Sequence, residues 1–164
     1  NLKQRDNLGN GDVLKPGDVQ KMTAGSGIIH SEFNPSDKEP VHFLQIWIIP
    51  NMLDLRPSYE QKAFNRKSMT NRLTLLVSPD GHNGSLEIYQ DAEIWQILLE
   101  ENKDTEFAIN HSRKIWIQVA EGSVSTNEHL LVAGDGLAVS DEEDIIRLRG
   151  IDKLSNIIIF NLRA

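Results

Sequence analysis

The most regular alternation in the chain runs from Val41 to Ile49. Val41, Phe43, Gln45, Trp47 and Ile49 alternate there with His42, Leu44, Ile46 and Ile48. Both sets are largely apolar, which predicts a strand covered on both faces. His42, at its start, reads as a strand-end histidine with an ordinary hydrogen bond. The second half of the chain carries the same period in shorter pieces, predicting strands over 73–77, 86–89, 92–99, 106–109, 114–120, 122–126, 130–132, 136–139, 144–149 and 156–162. Turn residues separate most of them: Pro79-Asp80-Gly81, His82-Asn83-Gly84, Glu121-Gly122 and Gly134-Asp135-Gly136. Many short strands with frequent turns predict an all-β sandwich or barrel.

The first fifty residues read as several short strands. Leu8-Gly9-Asn10-Gly11-Asp12 carries a hairpin signal. Pro16-Gly17 suits a type II turn, with proline fixing the second position and glycine supplying the left-handed third. Val19 to Met22 alternates weakly and leads into a turn at Gly25 and Gly27, after which Ile28 to Glu32 reads as a strand. From Asn51 to Arg72 the apolar period weakens, Pro57 interrupts any regular element, and five basic residues add local charge. This stretch reads as a solvated connection, with a short helical turn over 58–63 capped by Ser58 and with Tyr59 and Phe64 pinning it to its neighbours. The expected organisation is therefore a first β module over 1–50, a linker over 51–72 and a second β module over 73–164.

A faint repeat links the two modules. Asp12-Val13-Leu14-Lys15-Pro16-Gly17-Asp18-Val19 is echoed by His129-Leu130-Leu131-Val132-Ala133-Gly134-Asp135-Gly136. Each reads as an apolar strand, a Gly-Asp turn and another strand, as two copies of one module would. The acidic run Ser140 to Asp144 after the second copy lacks the alternating oxygen donors and central glycine of a calcium loop and reads as a solvated turn.

Composition narrows the function classes. At 164 residues the chain can bury a proper core. A formal charge of −7 argues against an extended phosphate-binding surface, so no direct nucleic-acid partner is expected. No apolar run approaches the length of a membrane-spanning helix, and no membrane partner is expected. The absence of cysteine excludes disulfides and zinc–thiolate sites and suits a reducing, cytoplasmic compartment. No Gly-x-Ser-x-Gly elbow, phosphate-cradling loop or His-Glu-x-x-His motif is present. His82 and His111 sit in polar surroundings and read as exposed.

One pair of residues remains as candidate chemistry. On a strand, His30 and Glu32 project to the same side. An imidazole beside a carboxylate can hold a borderline metal ion, although two ligands make an incomplete site. The same pair on a solvated strand edge needs no ligand at all.

The wording around that pair resembles the pirin family of the cupin superfamily. The phrases that carry the likeness are LKPGDVQKMTAGSGIIHSE from Leu14 to Glu32, HFLQIWIIP from His42 to Pro50, and RPSYEQKAF from Arg56 to Phe64. It continues through GSLEIYQDAEIW, ending at Trp95, and KIWIQVAEGSVSTN from Lys114 to Asn127, so it runs in order over nearly the whole chain. It is strongest toward bacterial members associated with quercetin 2,3-dioxygenase activity.

That resemblance implies two cupin-type barrels (double-stranded β-helices, or jelly rolls), the first incomplete at its N-terminus and the second without metal ligands. It also implies a mononuclear metal site of three histidines and one glutamate, of which His30 and Glu32 match the third histidine and the glutamate. The two remaining family histidines belong to an HPH-type phrase that this chain does not contain, so a preceding fragment is expected to complete the first barrel. Gln4 stands where a relative can carry a non-ligand histidine. The implied cofactor is one divalent transition metal, iron first, with nickel, copper, manganese or zinc as alternatives. The implied partners are a flavonol and O2, with Glu32 as proton acceptor. The alternatives are a redox-sensing regulatory interaction module without turnover, or a catalytically inactive truncated relative.

Overall fold

Strands make up nearly all of the regular structure, in four sheets. The computed structural model describes residues 1–6, 11–126, 129–139 and 144–164. It divides into two units, Asn1–Phe64 and Asn65–Ala164. The hairpin tip at Leu8-Gly9-Asn10 and the acidic run from Ser140 to Glu143 lie outside the described residues.

Unit 1 contains β1 (Leu2–Asp6), β2 (Gly11–Leu14), β3 (Asp18–Thr23), β4 (His30–Phe33) and β5 (Ser58–Ala63). They form a three-stranded sheet, β2-β1-β4, and a two-stranded sheet, β3-β5, all antiparallel. The turn joining β2 to β3 is the type II turn expected at Pro16-Gly17. Gly17 has φ 97°, and the Asp18 amide donates to the Lys15 carbonyl at 2.9 Å.

Two expectations fail in this unit. Residues 40–50 form no ladder, and Trp47 and Ile49 are 86% and 83% exposed. Alternation favours an extended backbone, but a strand exists only where a neighbouring edge accepts its hydrogen bonds, and no described strand offers one here. The second failure is the helical turn over 58–63, which is strand β5. Its six residues pair throughout with β3, from Asp18↔Ala63 to Thr23↔Ser58. A complete ladder outweighs the local preference that Ser58 suggested. The unit boundary between Phe64 and Asn65 thus falls inside the stretch read as a linker.

Unit 2 opens on a 3-10 turn, Arg66–Met69, whose first amides are capped by the Asn65 side chain accepting from the Lys67 amide at 3.0 Å. It continues with β6 (Thr74–Ser78), a 3-10 turn at His82–Gly84, β7 (Leu86–Glu87), β8 (Ala92–Glu100), β9 (Asp104–Ala108) and β10 (Arg113–Glu121). The last strands are β11 (Ser123–Ser125), β12 (Leu130–Val132), β13 (Gly136–Val139), β14 (Ile145–Gly150) and β15 (Leu154–Arg163). All ten strands expected in the second half form, with ends that shift by a few residues.

A six-stranded sheet, β13-β10-β15-β8-β6-β7, faces a four-stranded sheet, β12-β11-β14-β9. Period-2 burial gives each sheet one apolar face. Ile97, Leu99, Ile115, Ile117, Val119, Ile157 and Ile159 from the first pack against Phe107, Val124, Leu131, Ile146 and Leu148 from the second. Trp95 meets Phe107 edge-to-face at 6.0 Å between ring centres. The architecture is all-β, as expected.

Candidate metal centre

Strand register decides which side chains meet in unit 1. β1 lies between β2 and β4, with Gln4 opposite both Asp12 and Glu32, and Asp6 opposite His30. Directly opposed residues share a sheet face, so one face collects Gln4, Asp6, Asp12, His30 and Glu32. On the second sheet, Met22 opposes Tyr59 and Gln20 opposes Gln61, which puts Asp18, Gln20, Met22, Tyr59 and Gln61 on one face. The two faces meet where His30 Nδ1 lies 3.1 Å from Met22 Sδ. His30 and Glu32 therefore point to a common side, as their spacing predicts, and that side faces Met22 on the second sheet. Glu32 is half-buried and His30 remains accessible.

The glycine turn sets the entry of β4. Gly25 has φ 53°, and a methyl group there would overlap the Leu55 carbonyl oxygen, so both backbone angle and close approach demand glycine. The Gly27 amide closes the turn on the Ala24 carbonyl at 2.8 Å.

The contact with Met22 fixes the chemistry of the imidazole. A thioether has no hydrogen to give, so a hydrogen bond here has Nδ1 as donor and leaves Nε2 facing away from Met22. Either imidazole nitrogen can ligate a metal, and in this arrangement Nε2 is the one left open to do so. Tyr59, opposite Met22 on β5, donates to Gln61 Oε1 at 2.7 Å, and Gln61 Nε2 donates to Asp18 Oδ2 at 3.1 Å. Burial, and then the charges of Asp12, Asp6 and Asp18, hold the Tyr59 phenol above its ordinary range. Tyr59 is thus a neutral donor in an electronegative interior. Gln4 is fully buried, and neither of its amide atoms has a partner.

An ion fits this face in kind, since an imidazole nitrogen and a carboxylate adjoin on it. Among the described residues, however, no group of three His, Cys, Asp or Glu side chains is close enough to hold a metal together. Two donors are present, and the described residues do not complete the set. Sequence reasoning noted Gln4 only as standing where a relative can carry a non-ligand histidine, did not place Gln20, Met22 and Gln61 on this face, and read Tyr59 as a linker anchor. The available signal was the period of two in DVQKMT and SYEQKA, obscured because polar residues occupy both phases.

The other histidines have local roles. His82 Nδ1 lies 2.6 Å from Asp80 Oδ1, and hydrogen bonds from the His82 side chain and amide hold the Asp80 carboxyl below its ordinary range. His111 Nε2 is 3.1 Å from Asp144, with both side chains about three-quarters exposed.

Comparison with known proteins agrees with this architecture. Residues 1–48 match the family model described as Pirin, and residues 75–162 match the Quercetinase C-terminal cupin domain. The chain is 37% identical over 161 residues to quercetin 2,3-dioxygenase of Escherichia coli, covering 98% of this chain and 68% of that protein. The crystal structure of YhhW from Escherichia coli superposes with a TM-score of 0.88 at 36% identity, covering 98% of this chain and 67% of that one. The structure of the same bacterial pirin in complex with nickel(II) matches with a TM-score of 0.88 at 35% identity, covering 99% and 68%. With both of its halves matched and a close relative aligned along its length, the chain belongs to the pirin family of cupin proteins.

Proposed function

We propose that this chain acts as a pirin-type dioxygenase that opens flavonols such as quercetin with O2, using a divalent transition metal held in part by His30 and Glu32. The observation that carries this reading is the shared face of β4, where an imidazole with Nδ1 against Met22 and a half-buried carboxylate adjoin. The name of the Escherichia coli relative supports the activity, and the nickel(II) complex of the bacterial pirin supports a divalent ion. A mixed nitrogen and oxygen ligand set accommodates iron, nickel, copper, manganese or zinc. Iron is the first choice, with nickel beside it.

A bound cation would supply Lewis acidity that makes the flavonol hydroxyl easier to deprotonate. The chain's own residues do the rest. His30 offers Nε2 as a ligand while Met22 holds the other ring nitrogen. Glu32 accepts the hydroxyl proton, or ligates and exchanges between the two tasks. Tyr59 keeps its proton and fixes Gln61 and Asp18 in one hydrogen-bonded row. Oxygen uptake with quercetin by metal-loaded protein tests the reading. It is expected for the wild type and lost in His30→Ala. Equal rates in both would end the enzymatic assignment.

A further inference from the structure

The chain has three methionines, and they differ in what surrounds their sulfur. Met69 is 1% exposed in the packed interior of unit 2, and Met52 is 54% exposed outside any strand. Met22 is half-buried on β3, with its sulfur 3.1 Å from Nδ1 of His30. His30 is itself exposed, so the contact is open to solvent from that side. A thioether sulfur carries two lone pairs, and the imidazole N–H engages one of them. The other remains a nucleophile toward peroxides.

We propose that Met22 is an oxidation site for hydrogen peroxide, and that its sulfoxide releases His30 from the orientation in which it ligates a metal. The second clause rests on the proposed role of His30 as a ligand. In the reaction the free sulfur lone pair attacks one peroxide oxygen, and the S–O bond forms as the O–O bond breaks. The sulfur gives up two electrons, and the leaving hydroxide takes the proton of the transferred oxygen and departs as water. Both faces of the sulfur lead to the same result. An oxygen added toward His30 needs a hydrogen bond of about 2.9 Å beyond the S–O bond, more than the 3.1 Å between sulfur and nitrogen allows. An oxygen added on the far face draws electrons away and leaves a positively polarised sulfur against the N–H. The contact breaks in either epimer, and the ring loses the partner that orients it. The fold tolerates the change, because Met22 shares its sheet face with the polar side chains of Gln20, Tyr59 and Gln61. At Met69 the same oxygen would have to enter hydrocarbon.

The test uses metal-free protein carrying Met52→Leu, which removes the exposed sulfur. It is treated with hydrogen peroxide, then with the two methionine sulfoxide reductases that between them repair both epimers. Peptide mass spectrometry should find one added oxygen, on Met22, and none on Met69. Imidazole NMR should show the His30 signals shifting on oxidation and returning on repair, with those of His82 and His111 unmoved. Nickel(II) affinity by calorimetry should fall about tenfold on oxidation, at the low end for loss of a residue that orients a ligand, and recover on repair. The variant Met22→Leu keeps the volume without the sulfur, and peroxide should leave its His30 signals and its nickel affinity as they were before treatment. Met22 left unoxidised under conditions that oxidise Met52 in the wild type would overturn the proposal. So would His30 signals that ignore the oxidation, loss of the thermal unfolding transition on oxidation, or an equal loss of affinity in treated Met22→Leu. Nickel binding with an inert Met22 sinks this inference alone. His30 signals that follow Met22 oxidation in a protein that binds no nickel sink the ligand reading and leave the oxidation site standing.

Discussion

The same turn occurs once in each unit, with matching detail. In unit 1 the Lys15 amide donates to Asp18 Oδ2 and the Asp18 amide to the Lys15 carbonyl, both at 2.9 Å. In unit 2 the Val132 amide donates to Asp135 Oδ2 and the Asp135 amide to the Val132 carbonyl, again at 2.9 Å. Gly17 and Gly134 have φ 97° and 96°. The faces of the two units differ in kind. Unit 2 closes on isoleucine, leucine and valine from two facing sheets, whereas the sheets of unit 1 carry Gln4, Asp12, Asp18, Gln20, His30 and Glu32 on corresponding faces, with Asp12 and His30 exposed. Among the described residues of unit 1 only Leu2 and Gln4 are buried. One unit packs hydrocarbon against hydrocarbon, and the other carries polar groups on the faces of its sheets.

The largest effect expected from this contrast is in the core of unit 2. Ile117→Ala or Ile157→Ala should cost about 2–5 kcal/mol in urea unfolding, the usual result of emptying a fully buried aliphatic site. A loss below about 1 kcal/mol would show that the sandwich is not the stabilising half.

Next comes the pair of turn carboxylates. Asp18→Ala and Asp135→Ala each remove an acceptor for a backbone amide, worth about 1 kcal/mol. Asp18→Ala should cost more, because Asp18 Oδ2 also accepts from Gln61. Equal losses would argue that the row from Tyr59 to Asp18 adds nothing to the turn.

A pH effect belongs to Tyr59. Its folded phenol ionises above the ordinary tyrosine range, so below about pH 10 both folded and unfolded chains keep the proton. Above that point the unfolded chain loses it first, and stability falls as pH rises through the folded value. Ultraviolet titration should show one late-ionising phenol that disappears in Tyr59→Phe. An unchanged titration curve would place Tyr59 away from Asp12, Asp6 and Asp18.

The smallest effect is expected at Met22. Met22→Ala frees Nδ1 of His30 to change tautomer, and metal affinity should fall by about tenfold, at the low end for a residue that orients a ligand. Nitrogen NMR of the imidazole checks the cause, since a wild-type tautomer retained in the variant would refute it.

The sequence made the second unit legible because its core strands alternate cleanly, as in Arg113–Glu121, where Ile115, Ile117 and Val119 point in. The Gly-Asp repeat was legible because such a turn has narrow requirements at both residues. Val41–Ile49 was misleading because its pattern demands neighbours that a single segment cannot specify. Ser58–Ala63 and the glutamines of β1, β3 and β5 were opaque for a related reason: polar residues that face a neighbouring sheet look, in sequence, like residues that face water. His30 and Glu32 were found through family likeness, and their period of two agrees with the register of β4.

The central claim is that the polar interior, not the apolar one, receives the ion. Titration with nickel(II), followed by amide and imidazole NMR, tests it directly through paramagnetic broadening. The account predicts broadening centred on His30 and Glu32 that disappears in His30→Ala. Broadening centred on His82 or His111, or no selective broadening at all, would contradict it.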